Sequence, residues 1–407
     1  CCCEGAFEMT TRSATMPFPA RLKTELKLDP VLLGIVLTLL LGGLVILASA
    51  SITISDTATG NPFFYVERQL IAAAIGTAAG LFCLFVPMRV WQSLGPLLLL
   101  IGFALLCVVL VPGIGYEVNG SSRWIRLGIV NFQVVEAAKL MVIIYMAGYL
   151  VRKSDLIKNR FFDTMKPLML AAILSAILLA QPDMGSAAVI CAIVGGMIWL
   201  AGAAWRHIMI LLMIALPAFG WAAMEPYRLR RIISFMDPWA DPYDSGFQLT
   251  QALIAVGRGE VFGVGLGASI QKLFYLPEAH TDFIFAVLAE EFGLLGVIFV
   301  LGLFMLLITR IMSIGMLAHR NDRPFAGNLA CGVGLWIGLQ ALVSIGVNLG
   351  VVPTKGLTLP LISSGGSSVL MTFLALGMVF RIRDELDRDG LAQPRNRGRK
   401  VGAGART

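Results

Sequence analysis

An all-α, polytopic integral membrane protein is the fold this sequence predicts, with about ten transmembrane helices and a large extracytoplasmic loop between helices 7 and 8. Three observations predict it. The 407-residue chain is 57% apolar and only 14% charged, against roughly 25% charged in soluble domains. Apolar runs of about 18 or more residues recur, long enough to cross a hydrocarbon core of roughly 30 Å. Lys and Arg concentrate in the segments that fall on one side of those runs.

Residues 1–30 form a tail, and its opening CCCEGAFEMTTRSAT matches no pattern in the rest of the chain. The first apolar run, near 31–50, is too long for the apolar part of a signal peptide and lacks a clear cleavage site. Further spans fall near 69–87, 93–111, 134–151, 167–181, 186–203, 208–224, 283–309, 327–350 and 368–381. The turn QPDMG makes a hairpin of the fifth and sixth, because Pro182 removes a helix donor. Residues 225–282 are too polar to span and too long for a simple connection, so they form the large loop. Within it FQLTQALIAVG has helical periodicity. The glycines at 257, 259, 263, 265 and 267 predict tight turns or close backbone approach. They resemble a phosphate cradle only weakly, and no strand-to-helix unit follows to make a nucleotide site. Residues 31–381 are thus one integral domain, followed by a basic tail, 382–407, expected to be disordered and to lie near anionic headgroups.

Orientation follows from charge. With both termini cytoplasmic, inner segments hold 22 Lys and Arg against 9 in outer loops, with Lys139 inside the fourth span. That bias is the positive-inside pattern, and it accounts for the net charge of +7 without nucleic acid. Cys83, Cys107, Cys191 and Cys331 sit singly in apolar runs and read as small hydrophobes.

Against this background the ionisable residues stand out. Asp282 opens the eighth span, in HTDFIFAVLAEEFG. Either Thr281 or Asp282 caps the helix there, or Asp282 is a base at the membrane–water boundary, since ionisable groups in membrane domains tend to mark substrate paths. Glu290 and Glu291 follow about two turns deeper, one expected to face the interior and the other a neighbour or water, neither catalytic. Arg123 and Arg126 stand in SSRWIRLG. Lys139 lies three residues after Glu136, on one helical face, which fits a self-neutralising pair as well as a substrate contact. Arg68 opens the second span as an interfacial anchor or a ligand. Lys355 lies in GVVPTKGLTLPLISSGGSS, where Ser363, Ser364, Ser367 and Ser368 with two glycines suit an anion-binding turn or close helix packing. On the expected topology Arg68, Arg123, Lys355, Asp183 and Asp282 all reach the outer face. Cations for a phosphate and a carboxylate for a proton suit an anionic headgroup on a lipid tail.

Several stretches closely resemble the SEDS (shape, elongation, division, sporulation) family of bacterial cell-wall proteins. They are GVGLGASIQKLFYLPEAHTDFIFAVLAEEFG, NLGVVPTKGLTLPLISSGGSS, QPDMGSA, NGSSRWIRLG and EAAKL, in the family's order and spacing. The likeness covers nearly all of residues 30–381, and PTKGLTLPLIS with Lys355 is similar to the cell-division branch more than to the elongation branch. The resemblance implies a ten-span fold and a processive peptidoglycan glycosyltransferase in the cytoplasmic (inner) membrane at the division septum. Its substrate would be lipid II, the undecaprenyl-pyrophosphate disaccharide pentapeptide. The family's essential HTDF aspartate falls on Asp282. Its cavity cations fall on Arg68, Arg123 and Lys139, with Glu136 beside the last, and Lys355, Ser367 and Ser368 join the substrate-binding set. The implied partners are the class B penicillin-binding protein FtsI and the division proteins FtsQ, FtsL, FtsB and FtsN. Two departures stand out: Ser364 where the family usually has Tyr, and Val134 and Val135 where it has Gln-Pro.

These readings combine into a single displacement. Asp282 takes the proton of a sugar 4-hydroxyl, whose oxygen attacks the anomeric carbon of a second lipid-linked glycan and expels pyrophosphate-lipid. A divalent cation, Mg²⁺ or Mn²⁺, is an expected aid to the leaving group, although no dense ligand cluster is legible; no organic cofactor is expected. The rival class is a lipid II flippase, which paired broken helices in two similar halves would favour; no internal repeat is legible. An elongation-type polymerase is the rival within the family, and a non-catalytic scaffold of the division machinery is a third class.

Overall fold

The computed structural model describes residues 28–390, apart from 119–120, 128–129, 160, 208, most of 211–223, 245 and 354–355. The amino-terminal stretch 1–27, the end of the basic tail and Lys355 therefore lie outside the described residues. So does most of the expected seventh span, 208–224.

The chain enters the bundle at Asp29, whose carboxylate accepts from the Val31 and Leu32 amides, both at 3.1 Å. Pro30 then occupies a position where no amide is needed. Helix α1 (Pro30–Thr59) runs past the expected end at 50 and stops at Gly60, in the left-handed region with φ 71°. Helices α2 (Phe64–Phe85) and α3 (Met88–Val108) follow. After a three-stranded sheet come α4 (Val134–Arg152), the short α5 (Ser154–Asn159), α6 (Phe161–Ala180) and α7 (Met184–Leu200). The large loop carries α8 (Pro226–Met236) and α9 (Phe247–Arg258). The bundle closes with α10 (Ile284–Arg320), α11 (Pro324–Asn348) and α12 (Gly366–Arg388). Among the described residues eight helices are long and apolar enough to cross a membrane, and α7 is a shorter apolar one. Helix α4 is the most enclosed of the eight, with α11 and α12 next.

The sheet was not expected. Strands β1 (Gly115–Val118), β2 (Ser121–Leu127) and β3 (Val130–Gln133) pair antiparallel in that order, with Trp124 opposite both Tyr116 and Gln133. The strands are too short for an alternating pattern to stand out in a connection of this length. Their ladder pairs backbone groups that would otherwise need water at the end of the bundle. The Arg126 guanidinium stacks 3.6 Å from the Tyr116 ring. The sheet docks through Ser367, whose hydroxyl accepts from the Gln133 amide at 2.8 Å and donates to the Asn131 carbonyl at 3.2 Å. This end of the molecule, where β2, the α6–α7 turn, the 259–283 loop and the 349–365 loop gather, is the sheet end.

Helix α10 is broken. Gly293 has φ 62° and ψ −162°, so a buried half-helix (Ile284–Phe292) precedes the long remainder. The open backbone groups at the break are taken by the loop after α9. The Val264 and Gly265 amides donate to the Glu290 and Glu291 carbonyls, both at 3.0 Å. The Leu294 and Leu295 amides donate to the Glu260 and Val261 carbonyls at 2.9 and 3.2 Å. A Cβ on Gly293 would meet the Gly263 nitrogen at 2.4 Å, and one on Gly263 would meet the Glu291 carbonyl oxygen at 2.2 Å. Glycine is obligatory at this junction for both space and dihedral angle.

The opposite end is held by ion pairs. Arg310 binds Asp29 at 2.6 Å, Arg323 binds Glu385 at 3.1 Å and also pairs with Asp389. Pairs at i,i+4 (Arg381–Glu385, Arg383–Asp387 and Asp384–Arg388) carry α12 on to Arg388. The helix therefore continues beyond the expected boundary at 381 and through residues expected to be disordered beyond Asp384. Composition alone hid this, because the pairs need helical spacing to form.

Candidate active site

At the sheet end the chain presents Asp282 on the last turn before α10. Neither Thr281 nor Asp282 caps the helix, contrary to one reading of the sequence. The first helical residue is Ile284, and Phe283 at the cap position makes no side-chain bond. The Ala286 amide donates both to the Phe283 carbonyl of its own turn and to Asn348 Oδ1 of α11, each at 3.0 Å. Thr281 turns its hydroxyl to Glu278 Oε2, at 2.7 Å. The Asp282 carboxylate is left with no hydrogen bond or ion pair among the described residues.

Its environment tunes it. Asp282 is half-buried by exposure, and burial pushes its carboxyl from 3.8 up to about 7. The Glu278 and Asp183 carboxylates add to the rise, while Arg123 and Arg231 pull against it. Gly356 lies against it, such that a Cβ there would stand 3.2 Å from Asp282 Oδ2. Beside it His280 stacks 4.3 Å from the Tyr65 ring, and burial pushes the imidazole below its ordinary range.

Each proposed cation has a distinct place. Arg123 on β2 donates through Nη2 to the Pro182 carbonyl at 2.5 Å, and its Nε is 3.8 Å from Asp183 Oδ2. Asp183 is itself fixed as the cap of α7, accepting from the Ser186 amide and hydroxyl at 3.1 and 2.8 Å. Of the five residues expected together at the outer face, Arg123, Asp183 and Asp282 lie close enough to act on one another, while Lys355 lies outside the described residues. Arg68 is exposed at the start of α2, 5.2 Å from the Phe64 ring. The next residue, Gln69, is buried and holds the 363–365 loop, donating to the Ser363 carbonyl at 2.9 Å and accepting from the Gly365 amide at 3.2 Å.

Lys139 and Glu136 lie deeper. Lys139 is fully buried, 2.7 Å from both Glu136 Oε1 and Gln340 Oε1, and 5.4 Å from the Trp336 ring. The self-neutralising pair is thus formed, with Glu136 Oε2 buried and without a hydrogen-bond partner. Gln340 relays the cluster to the loop beside Asp282, donating to the Thr358 carbonyl at 3.1 Å and to the Ser368 hydroxyl at 3.4 Å. Ser367 and Ser368 are both buried; Ser367 docks the sheet on α12 and Ser368 accepts from Gln340 of α11.

Glu290 and Glu291 both face inward, which corrects the expected split between interior and water. Glu290 accepts from Arg258 at 2.7 Å and from the Ile270 amide at 3.1 Å, and pairs with Ser269. Glu291 accepts from Lys272 at 2.8 Å and Ser49 at 2.6 Å. Helical periodicity predicted two faces for adjacent residues, but the folded-in loop encloses both. They clamp the loop that leads to Asp282 onto the broken helix.

The sequence reading missed Arg231, Glu278, Asn348, Gly356, Gln69 and Gln340. Gln340 and Asn348 left one signal, as amide side chains inside otherwise apolar runs. A half-buried carboxyl raised to about 7, with Arg123 and Arg231 acting on it at one end of an apolar bundle, is an arrangement able to take up a proton beside an anionic group.

A family model described as cell cycle protein, FTSW_RODA_SPOVE, matches residues 30–388, and the chain belongs to that family. Among curated relatives, the probable peptidoglycan glycosyltransferase FtsW of Halorhodospira halophila is 48% identical over 93% of this chain and 95% of its own length. The protein of the same description from Coxiella burnetii is 49% identical over 86% of this chain and 95% of its own. Among solved structures, a chain from a study titled "Structural coordination of polymerization and crosslinking by a peptidoglycan synthase complex" aligns with TM-score 0.72 and 30% identity, covering 91% of this chain and all of its own. The rod shape determining protein RodA of Thermus thermophilus aligns with TM-score 0.65 and 28% identity, over 91% of this chain and 99% of its own.

Proposed function

We propose that this chain is a peptidoglycan glycosyltransferase of the bacterial inner membrane that polymerises lipid II, with Asp282 as its general base. The observation that carries the reading is the Asp282 carboxylate: without a hydrogen bond or ion pair among the described residues, and raised to about 7, where a base and its conjugate acid are both populated at neutral pH. It accepts the proton of the sugar 4-hydroxyl. That oxygen forms a bond to the anomeric carbon of the donor while the bond to pyrophosphate breaks, so an α-linked donor gives a β-1,4 product. General-base help of this kind is worth roughly 10²–10⁴-fold. Arg123 and Arg231 both act on the Asp282 carboxyl and would hold the departing pyrophosphate, with Arg68 at the start of α2 as a further proposed contact; Lys355 remains a substrate-binding proposal from the sequence. Lys139 with Glu136 supports the floor of the site through Gln340.

The sheet end is read as extracytoplasmic and the termini as cytoplasmic, in keeping with the Lys and Arg bias. Septal placement is the cell-division reading, supported by the names of the relatives. A class B penicillin-binding protein, FtsI, is the proposed partner, together with FtsQ, FtsL, FtsB and FtsN. The residues present do not fit a protein-held metal. Among the described residues no three His, Cys, Asp or Glu side chains are grouped to hold an ion. A Mg²⁺ or Mn²⁺ ion would arrive on the substrate's own phosphates.

Buried Lys139, Arg123 and the broken α10 are features that a flippase would share. Proteoliposomes holding the chain and its partner separate the classes. Labelled lipid II in each leaflet is followed by quenching while glycan length is measured. Polymer from outward-facing lipid II, without exchange from the inner leaflet, is the expected result. Rapid exchange with no polymer, lost in Asp282→Asn, would reverse the assignment.

A further inference from the structure

The Asp282 turn is held from a distant part of the chain, by a single amide side chain. Asn348 is the last residue of α11 and is fully buried. Its Nδ2 donates to the Asp282 carbonyl at 2.9 Å and to the Ser344 carbonyl at 2.8 Å. Its Oδ1 accepts from the Ala286 amide at 3.0 Å. Both donors and the acceptor of one amide are therefore engaged, two of them on either side of the helix start. Only an amide offers donors and an acceptor at this reach. Without it the Asp282 carbonyl would lose its donor, the Ala286 amide would keep only the Phe283 carbonyl at 3.0 Å, and the Asp282 carboxylate would be free to turn towards the first-turn amides.

We propose that Asn348 is a positioning residue for the transfer reaction, fixing the Asp282 main chain while keeping the Asp282 carboxylate out of the helix cap and open to substrate. The inference rests on Asp282 being the base. Asn348 itself lies behind the turn and touches no reacting atom. The backbone bond of Ser364 N to the His280 carbonyl, at 3.0 Å, holds the same turn from the other side. Asn348 thus completes a two-sided grip.

A base that drifts into a cap changes in two ways. It moves off the line to the acceptor hydroxyl, and amide donors then stabilise its charged form. The groups facing Asp282 are Glu278 of its own loop, Arg123 of β2, Arg231 of α8 and Asp183 at the start of α7. All remain when Asn348 is changed, so a shift in the pH midpoint reports the carboxylate's own movement.

The test uses full-length protein with its transpeptidase partner and lipid II, comparing Asn348→Ala with the parent and with Asp282→Asn. The expected result is a kcat lowered by about ten- to a hundredfold, the scale of a misplaced reacting group, with KM for lipid II within about threefold. The pH midpoint of kcat should fall towards the ordinary carboxylate range. If Asn348→Ala does not fold, Asn348→Leu decides by the same two numbers, because it is of similar size, removes both the acceptor for Ala286 and the donors to Asp282, and adds no charge. An unchanged kcat and midpoint, or a loss confined to KM or folded yield, overturns the positioning role. A fully active Asp282→Asn would instead overturn the base assignment itself, whatever Asn348 does.

Discussion

Replacing Asp282 by Asn should kill the reaction and stabilise the protein, and the second effect should depend on pH. A rise from 3.8 to about 7 corresponds to about 4 kcal/mol of preference for the neutral carboxyl in the folded state. The unfolded chain ionises near 3.8 and the folded one near 7. Between those values the folded state binds the extra proton, so stability falls as pH rises and is lowest above 7. Asp282 is half-buried, and solvent screening leaves roughly 1–3 kcal/mol of that figure. Asparagine carries no charge and gives up no hydrogen bond, since among the described residues the carboxylate has none. Thermal unfolding in detergent should therefore show Asp282→Asn more stable than the parent at pH 8, with the gap narrowing at pH 5 and closing near pH 4. Polymerisation should fall by about a hundredfold or more. In the parent, kcat should rise roughly tenfold from pH 6 to pH 8, as the base fraction grows around a midpoint near 7. A variant whose advantage over the parent is no larger at pH 8 than at pH 5, or a parent rate flat from pH 6 to pH 8, would refute the account of a desolvated base.

Three other outcomes follow from the same geometry. Arg123→Ala should raise KM for lipid II and move the kcat midpoint upward, because Arg123 holds the Asp282 carboxyl down; a midpoint that falls contradicts the pairing. Gly356→Ala puts a methyl 3.2 Å from Asp282 Oδ2 and should lower kcat by about tenfold without unfolding the protein, measured as initial rates alongside a melting curve. Gly293→Ala should cost more than about 3 kcal/mol, because its Cβ meets backbone and its φ is 62°; an unchanged melting temperature would sink the reading of the break as a stitched joint.

The membrane class and most of the helix order were legible because span length and charge content are one-dimensional properties. The grouping of Arg123, Asp183 and Asp282 was legible through topology, since alternating spans return loops to the same end. The tertiary structure decided what each ionisable group does there. Asp282 looked like a helix cap because local sequence cannot show that Asn348, 66 residues onward, already fills that role. Glu290 and Glu291 looked amphipathic because periodicity assumes an unbroken helix, whereas the joint at Gly293 admits a loop that encloses both. The sheet escaped notice because strand pairing is a relation between segments. Sequence alone thus determined which residues are too costly to bury without a reason. Only the fold, by supplying or withholding partners across the bundle, decided that Glu290 and Glu291 are neutralised while Asp282 has no hydrogen bond or ion pair among the described residues.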